Sequence, residues 1–243
     1  MLISTMYHHV NSDRCSNSLV MLRSHLAYIS QNYTTVFPSQ ELTCKNPICL
    51  VFDDGYFDFY KYIFPILKQY KLKALLAVSP KYILDDTQIE DEKRLNYEHN
   101  DLYLHYDKAT FCTYKELLEM SESGYVQIAS HSYTHANLLE DDVDLALELK
   151  GSKEELEKKL QIQVESFVFP YGKYDQKILH ETKKDYKYVF RIGNAINDDF
   201  NGIKGVIYRI DADNLSSPDA IFKFSKMLKY RYKKFVKQLV GNR

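Results

Sequence analysis

The strongest constraint on the fold is an alternation. Short runs rich in β-branched and aromatic residues are separated by amphipathic stretches. ISTMY, TTVF, PICLVF, KALLAVS, VQIAS, SFVFP, YVFRI and GVIYRI read as strands. Between them, SLVMLRSHLAYIS, YKYIFPILKQY, TYKELLEMSESG and DDVDLALELKGSKEELEKKL read as helices. Pro65 starts or kinks the second helix, and Thr113 and Gly124 bound the third. The acidic start of the fourth suits the helix dipole. Strands joined through helices imply parallel pairing with right-handed crossovers. Seven or so such units predict an α/β fold, a distorted, incomplete (β/α) barrel of about seven strands.

No repeat or low-complexity linker interrupts the 243 residues, and 45% hydrophobic residues suffice for one large core. The expectation is a single domain over 1–243. Its polar, aperiodic stretch 85–112 would lie over one rim, and a basic C-terminal helix would cover 216–240. That tail reads as a helix packed on the barrel with a solvated basic face, or as a peripheral membrane contact. A net charge of −1 gives no field favouring nucleic acid, and none is expected as a partner. Four cysteines without a CxxC pair suit a reducing compartment. The start MLISTMYHHV lacks a basic segment followed by a long apolar one, so the expected location is cytoplasmic, peripheral to the inner membrane face at most.

In a barrel of this kind the strand ends form the functional face. There VFDDGY (51–56) sets Asp53 beside Asp54 at the end of an apolar strand, where two carboxylates need a positive partner. DDG is equally a turn sequence. SHSYTHANL (130–138) follows VQIAS, and His131 and His135 stand four apart, on one face if the segment is helical. Such a pair can bind a metal ion, cap a helix or sit on a surface. Two imidazoles with one carboxylate suit Zn2+, with Co2+ or Ni2+ as alternatives. The second carboxylate could then take a proton from a water activated by the ion. SFVFPYGKYD (166–175) is a further strand and turn, with Pro170 fixing the backbone and an N–H exposed beyond it. MYHHV (6–10) places His8 or His9 as a general acid. His8 alternates with Met6 if Met6 faces inward.

VFDDGY, SHSYTHANL and FVFPYG, in this order, resemble the polysaccharide deacetylases (carbohydrate esterase family four) over roughly residues 1–215. YHHV before DDG looks like the branch containing bacterial poly-N-acetylglucosamine deacetylases, where the strand with the acid histidine comes first. The resemblance implies Asp53 as base, Asp54, His131 and His135 as ligands of a divalent metal, and the Tyr171 N–H after Pro170 as oxyanion donor. It implies His8 as acid, with His9 second. The implied reaction removes the N-acetyl group from an amino sugar in a polysaccharide or its biosynthetic intermediate. A related deformylase-type amide hydrolase on a lipid- or nucleotide-linked sugar is one alternative, and a catalytically silent carbohydrate-binding relative is another. The sequence departs from the family where many members carry an Arg two residues before the proline, because Val168 stands there. Arg209 in YRIDAD is the candidate to orient Asp53 instead, with Asp211 and Asp213 in the same network or at the surface.

Overall fold

The computed structural model describes residues 1–240. Among the described residues, ten strands occur in chain order: β1 (Ile3–Tyr7), β2 (His9–Val10), β3 (Ser16–Asn17), β4 (Thr34–Thr35), β5 (Pro47–Phe52), β6 (Ala74–Val78), β7 (Val126–Ser130), β8 (Ser166–Val168), β9 (Tyr188–Ile192) and β10 (Ile207–Asp211). The main sheet runs β1-β10-β9-β8-β7-β6-β5-β4, and β1 also pairs with β5. Every pairing in it is parallel. Seven strands therefore form a closed ring, with β4 as an extra strand outside β5. The seam is a five-residue register from Ile3↔Ile48 to Tyr7↔Phe52.

The helices are α1 (Leu19–Asn32), α2 (Phe64–Tyr70), α3 (Asp91–Arg94), α4 (Tyr114–Glu122), α5 (Ser152–Leu160), α6 (Gln176–Asp185) and α7 (Phe224–Val240). Thr113 and Glu116 form a reciprocal capping box at α4. Pro65 falls where the π-turn Phe59–Ile63 runs into α2, so its missing N–H coincides with the change in hydrogen-bond pattern. The expected helix over 141–160 starts late. Asp144 Oδ1 accepts from the N–H groups of Ala146 and Leu147, so the acidic residues before it lie outside the helix. α7 likewise begins at Phe224 rather than 216, after a run of turns. Among the described residues, no helix is long and apolar enough to cross a membrane.

Two apolar layers follow from the period-2 alternation of the strands. Ile48, Leu50 and Phe52 face the helices with Leu22, Leu26, Leu117 and Leu156. Cys49, Val51, Leu75, Ala77, Ala129, Val168, Phe190 and Ile207 fill the lumen. Extending each inward series by one step carries it to the C-terminal mouth. Cys49 and Val51 lead to Asp53, Ala129 to His131, and Ile207 to Arg209. Met6 leads in the same way to His8.

Segment 85–112 folds over this mouth. Its anchor is Arg94, buried with its guanidinium 3.3 Å from the Phe57 ring centroid. Arg94 makes a two-pronged pair with Glu116, at 2.6 and 2.9 Å, and donates to the carbonyls of Ala109 and Phe111.

Candidate active site

A cavity of about 500 Å³ opens at the mouth, lined by His8, Asp53, Asp54, His131, His135 and Arg209 among others. Asp53 and Asp54 are both almost fully buried. Their charges are met separately. Arg209 Nη1 reaches Asp53 Oδ1 at 2.5 Å, and His8 Nε2 lies 3.8 Å from Asp53 Oδ2. Asp54 Oδ1 instead faces His131 Nε2 at 3.5 Å and His135 Nε2 at 3.3 Å. Burial opposes both carboxylate charges. For Asp53, Arg209, His131 and His8 outweigh it and lower the pKa. For Asp54, His135 and His131, then His8 and a hydrogen bond from Tyr103, hold the acid well below the ordinary range.

The turn after β5 requires unusual backbone. Asp54 has φ 71° and Gly55 φ 70°. A Cβ on Gly55 would stand 2.5 Å from Val78 Cγ1. Gly55→Ala is therefore expected to destabilise the protein by about 1–3 kcal/mol, read from denaturant unfolding, because overpacking and backbone strain add.

The two histidines converge by a route different from the helical turn expected. Residues 131–135 form no helix. Ser132 (φ 63°) and His135 (φ 57°) both take left-handed conformations, and this tight loop folds His135 back beside His131. The ring centroids are 4.7 Å apart. His131 Nδ1 donates to the Val168 carbonyl at 2.7 Å. A carbonyl only accepts, so Nδ1 carries a proton and Nε2 is the ring nitrogen turned towards Asp54. Burial lowers the His135 pKa to about 4, which favours the neutral form of that ring. The donor atoms of Asp54, His131 and His135 lie within 4.8 Å of one another. The Asp54–histidine separations match adjacent ligands around a tetrahedral ion, about 3.3 Å for bonds of about 2.0 Å. One carboxylate and two imidazoles whose Nε2 atoms converge on it thus fit a divalent metal.

His8 and His9 are divided by strand alternation. His8 lines the cavity, and its Nδ1 is 2.6 Å from Asp213 Oδ2, while its backbone N–H donates to Asp213 Oδ1. Burial would lower the His8 pKa. The Asp213 hydrogen bond and the charges of Asp53, Asp213 and Asp54 override it and raise the pKa to about 10. His9 points the other way. It stacks on Tyr56 at 3.7 Å and pairs with Asp58 at 3.1 Å, outside the cavity lining.

Tyr171 also has a left-handed backbone, φ 56°, in the tight turn Pro170–Gly172. Its N–H belongs to the first turn, where no partner exists within the helix. The ring packs edge-on to His135 at 4.8 Å. Pro170 is buried. Sequence reasoning placed the covering segment 85–112 over one rim without singling out Tyr103. Tyr103 OH donates to Asp54 Oδ1 at 2.8 Å, and its ring stacks on His135 at 5.1 Å. His99 also lines the cavity, whereas His105 stacks on Tyr97 away from it. No local pattern marks Tyr103, because its partner lies 49 residues away.

The polysaccharide deacetylase family model matches residues 40–189, a span containing Asp53, Asp54, His131, His135 and Tyr171. The chain belongs to the polysaccharide deacetylase family. It is 26% identical over 168 residues to the poly-β-1,6-N-acetyl-D-glucosamine N-deacetylase of Escherichia coli K12, covering 58% of this chain and 24% of that protein. It therefore spans about a quarter of that relative's length. The fold resembles a polysaccharide deacetylase from Bacillus cereus (TM-score 0.73, 21% identity, 93% of this chain and 68% of that one). It also resembles a deacetylase from Streptococcus pyogenes solved with acetate (TM-score 0.72, 21% identity, 91% and 96% covered).

Proposed function

We propose that the protein is a metal-dependent hydrolase that removes the N-acetyl group from an amino sugar in a polysaccharide or its biosynthetic intermediate. The observation that carries this reading is the division of labour around one cavity. A carboxylate–imidazole–imidazole set faces a separate carboxylate held by Arg209 and an imidazole held by Asp213. Asp54, His131 and His135 would hold a divalent ion, most simply Zn2+, with Co2+ or Ni2+ as alternatives, which would supply Lewis acidity towards the acetamide carbonyl and a water.

The chain's own groups do the rest. Arg209 occupies Asp53 Oδ1 and leaves Oδ2 to accept the proton of the attacking water. The Tyr171 N–H donates to the developing oxyanion. His8, protonated through its pairing with Asp213, gives its Nε2 proton to the departing amine. One C–O bond forms, the C–N bond breaks, and acetate and a free amine leave. Tyr103 and Arg209 position Asp54 and Asp53 respectively.

The test is metal content and acetate release from acetylated amino sugars, on wild type and Asp54→Ala. Near-stoichiometric metal with acetate release, both lost in the variant, is the expected result. Formate released from formylated sugars in its place would favour a deformylase. Metal without either product would favour a binding role.

The contact surface of α7 favours a peripheral membrane location for this activity. The helix carries six basic residues and no acidic one. Phe224, Leu228, Tyr232, Phe235 and Leu239 form an exposed stripe on its outer side, opposite buried Tyr230. An exposed apolar stripe on a helix rich in Lys and Arg, with Arg231 beside it, complements a bilayer surface. Sedimentation with anionic vesicles at low salt, lost in Phe235→Ser/Leu239→Ser, is the expected outcome. Failure of the wild type to sediment would remove the membrane contact.

A further inference from the structure

A second cavity, of about 340 Å³, lies beside the first. Four lysines, Lys223, Lys226, Lys229 and Lys233, line one wall. The last three follow i, i+3, i+7 spacing and share one face of α7. Among the described residues, Lys234 of the same helix pairs with Asp198, whereas none of these four has an acidic partner within 4.0 Å. Like charges gathered on one wall without a paired carboxylate repel one another, and an anion that joins them relieves this. In a chain whose net charge is −1, the concentration of charge is local to this cavity.

The opposite wall holds Asp211 and Asp213, which are already engaged. Both Asp213 oxygens accept from His8, and Asp211 Oδ1 accepts the Asp213 N–H. Asn214 and Ser216 add polar lining. Asp213 thus lines this cavity while holding His8, which lines the other. The two spaces stand on either side of one hydrogen-bonded pair.

We infer that the lysine-walled cavity binds a phosphate or diphosphate group carried by the amino-sugar substrate. The inference rests on the deacetylase reading for the identity of the sugar, though not for the anion site itself. Ammonium groups offer three rotatable donors each and suit phosphate oxygens on several sides. The cavity's size suits a small charged group at one end of a sugar, and a neutral polysaccharide would leave the lysines unmatched. The class of substrate indicated is an acetylated amino sugar joined through phosphate to a carrier. A nucleotide or a lipid would each supply that chemistry.

Calorimetric titration with inorganic pyrophosphate tests the site directly, on wild type, Lys226→Gln/Lys229→Gln and Asp54→Ala. Both lysines are exposed, so the double variant should fold normally. Binding should weaken about tenfold or more in the lysine variant. It should persist in Asp54→Ala, which separates this site from the metal centre. Acetate release is then compared for a nucleotide-diphosphate amino sugar, a short-chain lipid-diphosphate amino sugar and a neutral acetylated oligosaccharide. The lysine variant should raise KM for the phosphorylated substrates about tenfold with kcat unchanged, and leave the neutral substrate unaffected. The carrier with the lower wild-type KM identifies the source. Absence of pyrophosphate binding, or binding indifferent to the two lysines, overturns the proposal. Lysine-dependent binding with no acetate released from any substrate would sink the deacetylase reading and leave the anion site standing.

Discussion

Asp53→Asn is expected to lose turnover by about 10²–10⁴-fold while metal content stays at the wild-type level. The amide is close to isosteric with the carboxylate but cannot accept the proton of the attacking water. The same substitution has a structural effect through Arg209. That guanidinium is almost wholly buried and its charge is met by Asp53. Breaking such a pair from one side costs about 3–5 kcal/mol, whereas replacing both partners by neutral groups is often close to neutral. Asp53→Asn should therefore unfold at lower denaturant, and Asp53→Asn/Arg209→Met should regain most of the lost stability without regaining turnover. Activity and stability would then separate cleanly. Normal turnover in Asp53→Asn would show that the proton is taken elsewhere.

The second large effect concerns pH. His8 is raised to about 10 with Asp213 as its hydrogen-bonding partner. A group whose folded pKa lies above its unfolded value stabilises the fold fully below the unfolded value, near 6.5. That contribution is lost as pH rises through about 10. Asp213→Asn removes the nearest negative charge, so the alkaline limb of kcat/KM should move down by about one to three pH units. The stability difference between variant and wild type should be greatest near and below neutrality and shrink towards pH 10. His9→Gln should leave the limb in place, since His9 does not line the cavity. An unmoved limb in Asp213→Asn would assign the alkaline transition to another group.

Much of this was legible in the chain because the informative signals are local. Alternation of Cys49 and Val51 implies where Asp53 points, and the runs ending at Ser130 and Val168 locate two further loops at the same mouth. Alternation also decides between His8 and His9 once Met6 is known to face inward, as it does. The HxxxH spacing was read as helical, but the left-handed Ser132 and His135 bring the rings together in a loop instead. Spacing of four residues does not distinguish the two routes. The contact of Arg209 with Asp53 spans 156 residues and that of His8 with Asp213 spans 205. Such partners are set by strand order around the ring, which no local pattern encodes. Arg209 was reachable only because an expected arginine was missing at Val168 and the charge had to come from another strand, two places away around the ring.

Closure of the ring through β1 also bears on how the molecule is made. β1 leaves the ribosome before the other strands of the barrel, and one of its neighbours, β10, is synthesised about two hundred residues later, with Thr5 facing Ile210 across the pairing. Pairings of such long sequence separation form late, because chain entropy must be lost before they return any stabilisation. During synthesis the edges of β1 and the growing sheet stay open to wrong partners, the period when association between chains is most dangerous. His8 follows β1, and Asp213 follows β10. The proton donor is therefore assembled by the same event that completes the barrel, and an unfinished chain has no charged imidazole at the mouth. A refolding experiment that follows the His8 ring by NMR would time the last step of folding.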